Sequence, residues 1–154
     1  MPGGQFETVS VRMEARCLLT FQAPPEDIDR IMAAVALITP LPMGNYDNNA
    51  YQSAPGIERY RPLDGAAAGA EKEIRKRPGT VEVIFELPAD HAVVEQVIEA
   101  IFQAHSYQEP VIRLQDVLTS RSKGLDDGAN PNRWWNTTGD WMKTATPGED
   151  ADRT

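Results

Sequence analysis

The sequence is short of the residues from which reactive sites are built. One cysteine and two histidines stand among 154 residues. A single thiol cannot close an internal disulfide, which fits a reducing compartment. Two imidazoles cannot give one subunit the nitrogen- or sulfur-rich shell that transition metals favour. There is no Gly-x-Ser-x-Gly elbow, no phosphate-cradling glycine loop followed by Lys, and no His-Glu-x-x-His pair. Basic charge is scarce too: 15 Lys and Arg face 23 Asp and Glu, for a net charge of -8. That balance repels phosphate backbones and anionic lipid surfaces. No run approaches the roughly 18 apolar residues needed to span a bilayer. Met1-Pro2-Gly3-Gly4-Gln5 has neither the basic start nor the apolar core of a signal peptide. The expectation is a cytoplasmic, non-catalytic protein that binds neither nucleic acid nor membrane.

What is present is patterned. Val9, Val11, Met13, Ala15, Cys17, Leu19 and Phe21 alternate with Arg12, Glu14, Arg16, Leu18 and Thr20, the period of a half-buried strand. Cys17 falls on the apolar side and reads as core filling. Pro24-Pro25-Glu26-Asp27 places proline and negative charge where a helix begins. Ile28, Ile31, Met32, Val35 and Ile38 then form one stripe, closed by Pro40 and Pro42. Gly44 to Tyr51 carries turn chemistry into a short strand, and Ile57–Leu63 reads as an edge strand because Pro62 cannot donate to a ladder. Residues 64–79 read as a long loop, with Ala66–Lys76 able to hold a short helix. Thr80–Leu87 alternates again, and Pro88-Ala89-Asp90 opens a second helix with Val94, Val97, Ile98, Ile101 and Phe102 as its buried stripe. His91, near its start, reads as exposed. A last strand follows Pro110, with Ile112, Leu114 and Leu118 on one side and Val111, Arg113, Gln115 and Val117 on the other.

Strand, helix, strand, strand, helix, strand predicts an α+β fold: a ferredoxin-like βαββαβ sandwich with an open antiparallel sheet. The domain spans 9–120. Residues 121–154 form an irregular, Trp-containing tail whose last ten residues read as disordered. Helices cover one sheet face. The other carries Arg12, Arg16 and Arg113 beside Glu14, Glu82 and Glu86, with Leu18, Ile84 and Val117 between them. A patch of this kind predicts an oligomer contact in which opposed charges pair between subunits, with Trp134, Trp135 and Trp141 packed across the same seam.

Gly44-Asn45-Tyr46-Asp47, Arg59-Tyr60-Arg61-Pro62-Leu63-Asp64-Gly65-Ala66 and Ala104-His105-Ser106-Tyr107-Gln108-Glu109-Pro110 occur in this order. Together they resemble the inserted domain of the Nif-three-like (YqfO-type) proteins, over roughly residues 11–120. The resemblance implies kinship with the CutA divalent-ion-tolerance and PII signalling folds, which are ferredoxin-like and usually trimeric. Ser106 stands where that family has Pro, and Gln108 where it has Glu. The metal-binding part of the long family members is absent, so their dimetal chemistry is not carried over.

The expected function is a non-catalytic, homo-oligomeric and trimeric module of CutA/PII type. It would bind a small molecule or a protein partner in clefts between subunits. Tyr46, Asp47, Arg61, His105, Tyr107 and Glu109 are the candidate ligand residues, and Arg75, Lys76 and Arg77 a candidate anion contact on the loop. No cofactor is required. One alternative is a divalent-metal protein with an intersubunit site at His105, Asp47 or Glu109; a second is a small metal-dependent hydrolase. His105 and Tyr107 also admit a purely structural reading, as a hydrogen-bonded and packed corner.

Overall fold

A computed structural model describes residues 3–124 and 128–136. The chain divides into two compact units, residues 1–122 and 123–154. The first holds strands β1 (Phe6–Glu7), β2 (Val11–Ala23), β3 (Tyr51–Gln52), β4 (Gly56–Tyr60), β5 (Arg75–Pro88) and β6 (Ile112–Ser122), with helices α1 (Pro25–Ala36) and α2 (His91–Ala104).

The strands make one antiparallel sheet around β2. On one side β2 pairs with β6 from Val11↔Ser122 to Phe21↔Ile112. On the other it pairs with β5 from Arg16↔Pro88 to Ala23↔Val81, with β1 beside its first turns. β3 and β4 lie along the far side of β5. The lateral order β6-β2-β5-β3/β4 is that of a ferredoxin-like α+β sandwich.

Alternation decides which face the helices cover. Cys17, Leu19, Phe21 and Ala23 of β2 and Val81, Val83, Phe85 and Leu87 of β5 are buried against Ile28, Ile31 and Val35 of α1 and Val94, Val97 and Ile101 of α2. Phe21 and Phe85 meet edge to face at 6.3 Å. Each large apolar side chain so buried contributes about 1.5–3 kcal/mol. Pro25 opens α1, and Asp90 caps α2 by accepting from the Ala92 N–H at 3.0 Å.

Phe102 does not join this core, because 47% of its surface is exposed. Eight residues of helix carry it about 80° around from Val94, beyond the arc held by Val94, Val97 and Ile101. Leu114, on the inner face of β6, is also 46% exposed, so α2 leaves this edge of the sheet uncovered.

Residues 64–79 also depart from the expected long loop. The chain is already a strand at Arg75, and no helix forms between 66 and 76. Arg75, Lys76 and Arg77 pair with Tyr60, Arg59 and Glu58, extending the β4–β5 hairpin past the expected loop. The pairing passes a bulge: Gly56 faces Thr80 but Ile57 faces Pro78, leaving Gly79 as an extra residue at φ +98°. Glycine adopts that conformation without a Cβ clash. Charged side chains and Pro78-Gly79 conceal the strand in the sequence. The remaining tip is closed by the Glu71 N–H donating to the Pro62 carbonyl at 3.1 Å.

The helix-free face has its own charge network. Glu86 accepts from the Thr119 hydroxyl, and from Arg121 Nη2 at 2.7 Å. Gln22 donates to Glu82 at 2.9 Å. Two of the acids expected to pair between subunits thus have partners within their own sheet. Arg16 Nε is buried there with no hydrogen-bond partner.

In the second unit, Trp134–Asn136 form a single 3-10 turn, its indoles edge-on at 5.7 Å. Asn136 donates to the Asn130 carbonyl at 2.8 Å. Trp141 and the last ten residues lie outside the described residues.

Candidate functional site

The site is built from the corner between α2 and β6. His105 leaves the helix in an extended conformation (φ -80°, ψ 145°), its N–H still bonded to the Ile101 carbonyl. The side chain is buried. Its Nε2 lies 2.7 Å from the Gln22 carbonyl oxygen, which can only accept, and its Nδ1 lies 3.0 Å from the Tyr107 backbone N–H, which can only donate. The two contacts specify the Nε2–H tautomer and leave neither nitrogen for a metal. Among the described residues, no three His, Cys, Asp or Glu side chains gather to hold a metal ion.

One residue on, Ser106 locks the corner to the other helix. Its backbone N–H and its hydroxyl both donate to Asp27 Oδ2, while Arg30 donates to Oδ1. Arg30 Nε also reaches the Ala104 carbonyl at 2.8 Å. Burial pushes the Asp27 carboxyl up, but the Ser106 and Arg30 hydrogen bonds and the Arg30 charge outweigh it. The group sits below the usual carboxylate range.

Tyr107 then points back to the hairpin. Its hydroxyl donates to Glu58 at 2.8 Å, its ring lies 4.8 Å from that of His105, and the Arg77 guanidinium sits 5.3 Å from its centroid. Burial first, then the bond to Glu58 and its negative charge, push the phenol up to about 12, against the opposing Arg77 charge and Thr80 hydroxyl. Gln108 completes the turn by reaching the tip loop. Its amide oxygen accepts from the Ala67 N–H at 2.9 Å, and its amide nitrogen donates to the Gly65 carbonyl at 3.4 Å.

These contacts frame an open cleft of about 970 Å³. Its walls are β4, residues 66–68, the 106–109 corner, and the helix-free-face residues Gln22, Thr80, Glu82 and Arg113. Arg77 and Arg113 set positive charge beside Glu58, Glu82 and Glu109. The Thr80 hydroxyl is buried in this wall beside the Tyr107 phenol. Such a lining can hold a small polar molecule by its charged and hydrogen-bonding groups.

Of the candidate ligand residues, Tyr107 and Glu109 line this cleft, and His105 stands behind it as a brace; Arg77, expected as an anion contact, and Glu82 and Arg113, expected at an oligomer contact, line it too. Arg61 lines a separate pocket at the hairpin tip. Tyr46 and Asp47 lie in an exposed turn, where Met43 and Tyr46 exchange backbone hydrogen bonds, and they do not line the cleft. Arg75, expected on a loop, is tied on the strand to Glu71 and Tyr60. Glu58, Gln22, Thr80 and Asp27 were not singled out, because their roles depend on partners distant in sequence. Ser106 and Gln108 did carry a signal, as the two departures from the resembled motif.

The crystal structure of a Bacillus cereus protein related to NIF3 matches 71% of this chain and 27% of its own, with a TM-score of 0.58 and 18% identity. The periplasmic divalent cation tolerance protein CutA from Archaeoglobus fulgidus matches 66% of this chain and 82% of its own, at 0.47 and 14%. CPII from Thiomonas intermedia K12, a nitrogen regulatory PII-like protein bound to ADP, AMP and bicarbonate, matches 71% and 97%, at 0.45 and 11%. No family model and no curated protein matches the sequence. What is shared is the fold. The expected likeness to the Nif-three-like sandwich holds at that level, with the Bacillus cereus protein at a TM-score of 0.58. This chain spans only about a quarter of the Bacillus cereus protein. Among the described residues, no helix is long and apolar enough to cross a membrane.

Proposed function

We propose that the chain is a non-catalytic, homo-oligomeric regulatory module of CutA/PII type, trimeric and cytoplasmic, which binds a small polar molecule in the Tyr107 cleft. The domain of residues 9–120 carries this activity, and 121–154 is an accessory tail. The observation that supports the reading most is the cleft itself. It opens where the helix-free sheet face ends, its tyrosine is pinned by Glu58 and stacked by Arg77, and its loop wall is held by Gln108. The walls offer hydrogen bonds and both signs of charge. Their Ser106 hydroxyl is already committed to Asp27, and the adjacent imidazole to backbone. An arrangement of this kind binds rather than reacts.

The helix-free face supports the oligomer. Leu18, Ile84 and Val117 lie half-exposed among its charges, and a second subunit would cover them. Light scattering of the full chain at micromolar concentration should give three times the chain mass, and a clean monomer overturns the oligomer. A thermal-shift screen of small polar metabolites tests the cleft. A true ligand at about 100 times its Kd adds about 2.7 kcal/mol of stability. Arg77→Gln should weaken that effect, and a ligand indifferent to it lies elsewhere.

A further inference from the structure

We propose a second binding site, for a multiply charged phosphate-class anion, at the tip of the β4–β5 hairpin. The chain as a whole is acidic, yet Arg59, Arg61, Lys72, Arg75, Lys76 and Arg77 all fall within residues 59–77. Two of these cations are committed: Arg75 to Glu71 and Tyr60, Arg77 to Tyr107 and Glu26. The other four are exposed, and among the described residues no side-chain hydrogen bond or ion pair engages them. Of the anion contact expected of residues 75–77, only Lys76 remains uncommitted, and Arg59, Arg61 and Lys72 join it.

Arg59 and Lys76 are directly opposed Cα partners across the hairpin. Like charges so placed repel, and an anion between them converts the repulsion to attraction. Arg59, Arg61 and Lys72 converge on one open pocket of about 580 Å³, with Tyr60, Glu73 and Ile74 completing its wall. Arg59 and Tyr60 are shared with the Tyr107 cleft. The Glu71–Pro62 backbone bond closes the tip and brings Lys72 to this pocket, so the cations are gathered before any ligand arrives. Arginine forks match phosphate oxygens two at a time, and lysine adds a point charge. Glu73 lies in the same wall, so a singly charged anion gains little there and a multiply charged one is required.

Inorganic pyrophosphate titrated into the full chain by calorimetry tests the site. Saturable binding of one pyrophosphate per chain is expected, weakening as salt rises. Arg59→Gln and Lys72→Gln should each reduce affinity about tenfold. Arg12→Gln, an exposed arginine on β2, should leave it unchanged, as should Tyr107→Phe in the cleft. No saturable binding at millimolar pyrophosphate overturns the proposal. An equal loss in Arg12→Gln also overturns it, by reducing the effect to net charge, and an equal loss in Tyr107→Phe does so by moving the anion into the cleft.

Discussion

Ser106 gives Asp27 two hydrogen bonds on one carboxylate oxygen, from its backbone N–H at 2.9 Å and from its hydroxyl. The two residues lie 79 positions apart, one in the first turn of α1 and the other just past the end of α2. This bond joins the two halves of the sandwich behind the cleft.

Asp27 is held below the usual carboxylate range in the folded chain. A depressed folded value means that its contribution is complete above the unfolded value of about 3.9 and is lost as pH falls through the folded one. Urea unfolding from pH 7 to pH 2 should therefore show a drop in stability below about pH 4 that is smaller in Asp27→Asn. Ser106→Ala removes a charge-assisted hydrogen bond and should cost about 1.5–3 kcal/mol at neutral pH.

Tyr107 shifts the other way. Its folded value of about 12 lies above the unfolded value of about 10, so its contribution is present in full below about pH 10 and fades as pH rises through about 12. In an ultraviolet titration, Tyr107→Phe should remove a phenolate step near pH 12. Glu58→Gln should move that step to lower pH, because the negative charge beside the phenol is gone.

Gln108 uses both ends of its amide on the tip loop, and only an amide can do so. Gln108→Glu keeps an acceptor for the Ala67 N–H but sets a carboxylate oxygen against the Gly65 carbonyl. Hydrogen exchange at Ala67 should accelerate strongly in Gln108→Ala and less in Gln108→Glu. Global stability should fall by about 0.5–1.5 kcal/mol in the alanine variant.

On the helix-free face, burial pushes Glu86 up, but Thr119 and Arg121 hold it below its ordinary range, helped by the Arg121 and Arg16 charges. Arg121→Met should cost about 1.5–3 kcal/mol in chemical denaturation, since a partly buried carboxylate loses its charged donor. Arg12→Met, whose contact with Glu14 spans 3.5 Å at the surface, should change stability by less than about 1 kcal/mol.

The sandwich was legible because its signals are local. Cys17, Leu19, Phe21 and Ala23 of β2 and Val81, Val83, Phe85 and Leu87 of β5 alternate in the sequence as they do in the core, and Pro25 opens the helix that its position predicts. The His105–Pro110 stretch was recognisable as a corner because a helix stripe ends there and a strand begins. The contacts that shape the cleft run between distant residues, and nothing local marks them. Asp27 reads as an acid suited to any helix start, and only the fold buries it. Glu58 carries no signal of its own and Arg77 reads as an anion contact, until the hairpin sets them opposite each other beside Tyr107. Residues 75–77 misled because a strand made of charges, followed by Pro-Gly, has the composition of a loop. Phe102 misled because a helix stripe has no sharp edge in sequence, whereas the sheet beneath it does.

Gly79 settles which neighbour does which task. Because one additional backbone unit is tucked in there, Arg77 turns to the tyrosine and Lys76 is left outward with Arg59. Were that glycine instead paired as an ordinary ladder residue, the distal arm of the hairpin would turn by half a repeat and the two cations would exchange faces. A single codon therefore sorts adjacent positive charges into one that props the small-molecule cleft and one that is free to meet solutes.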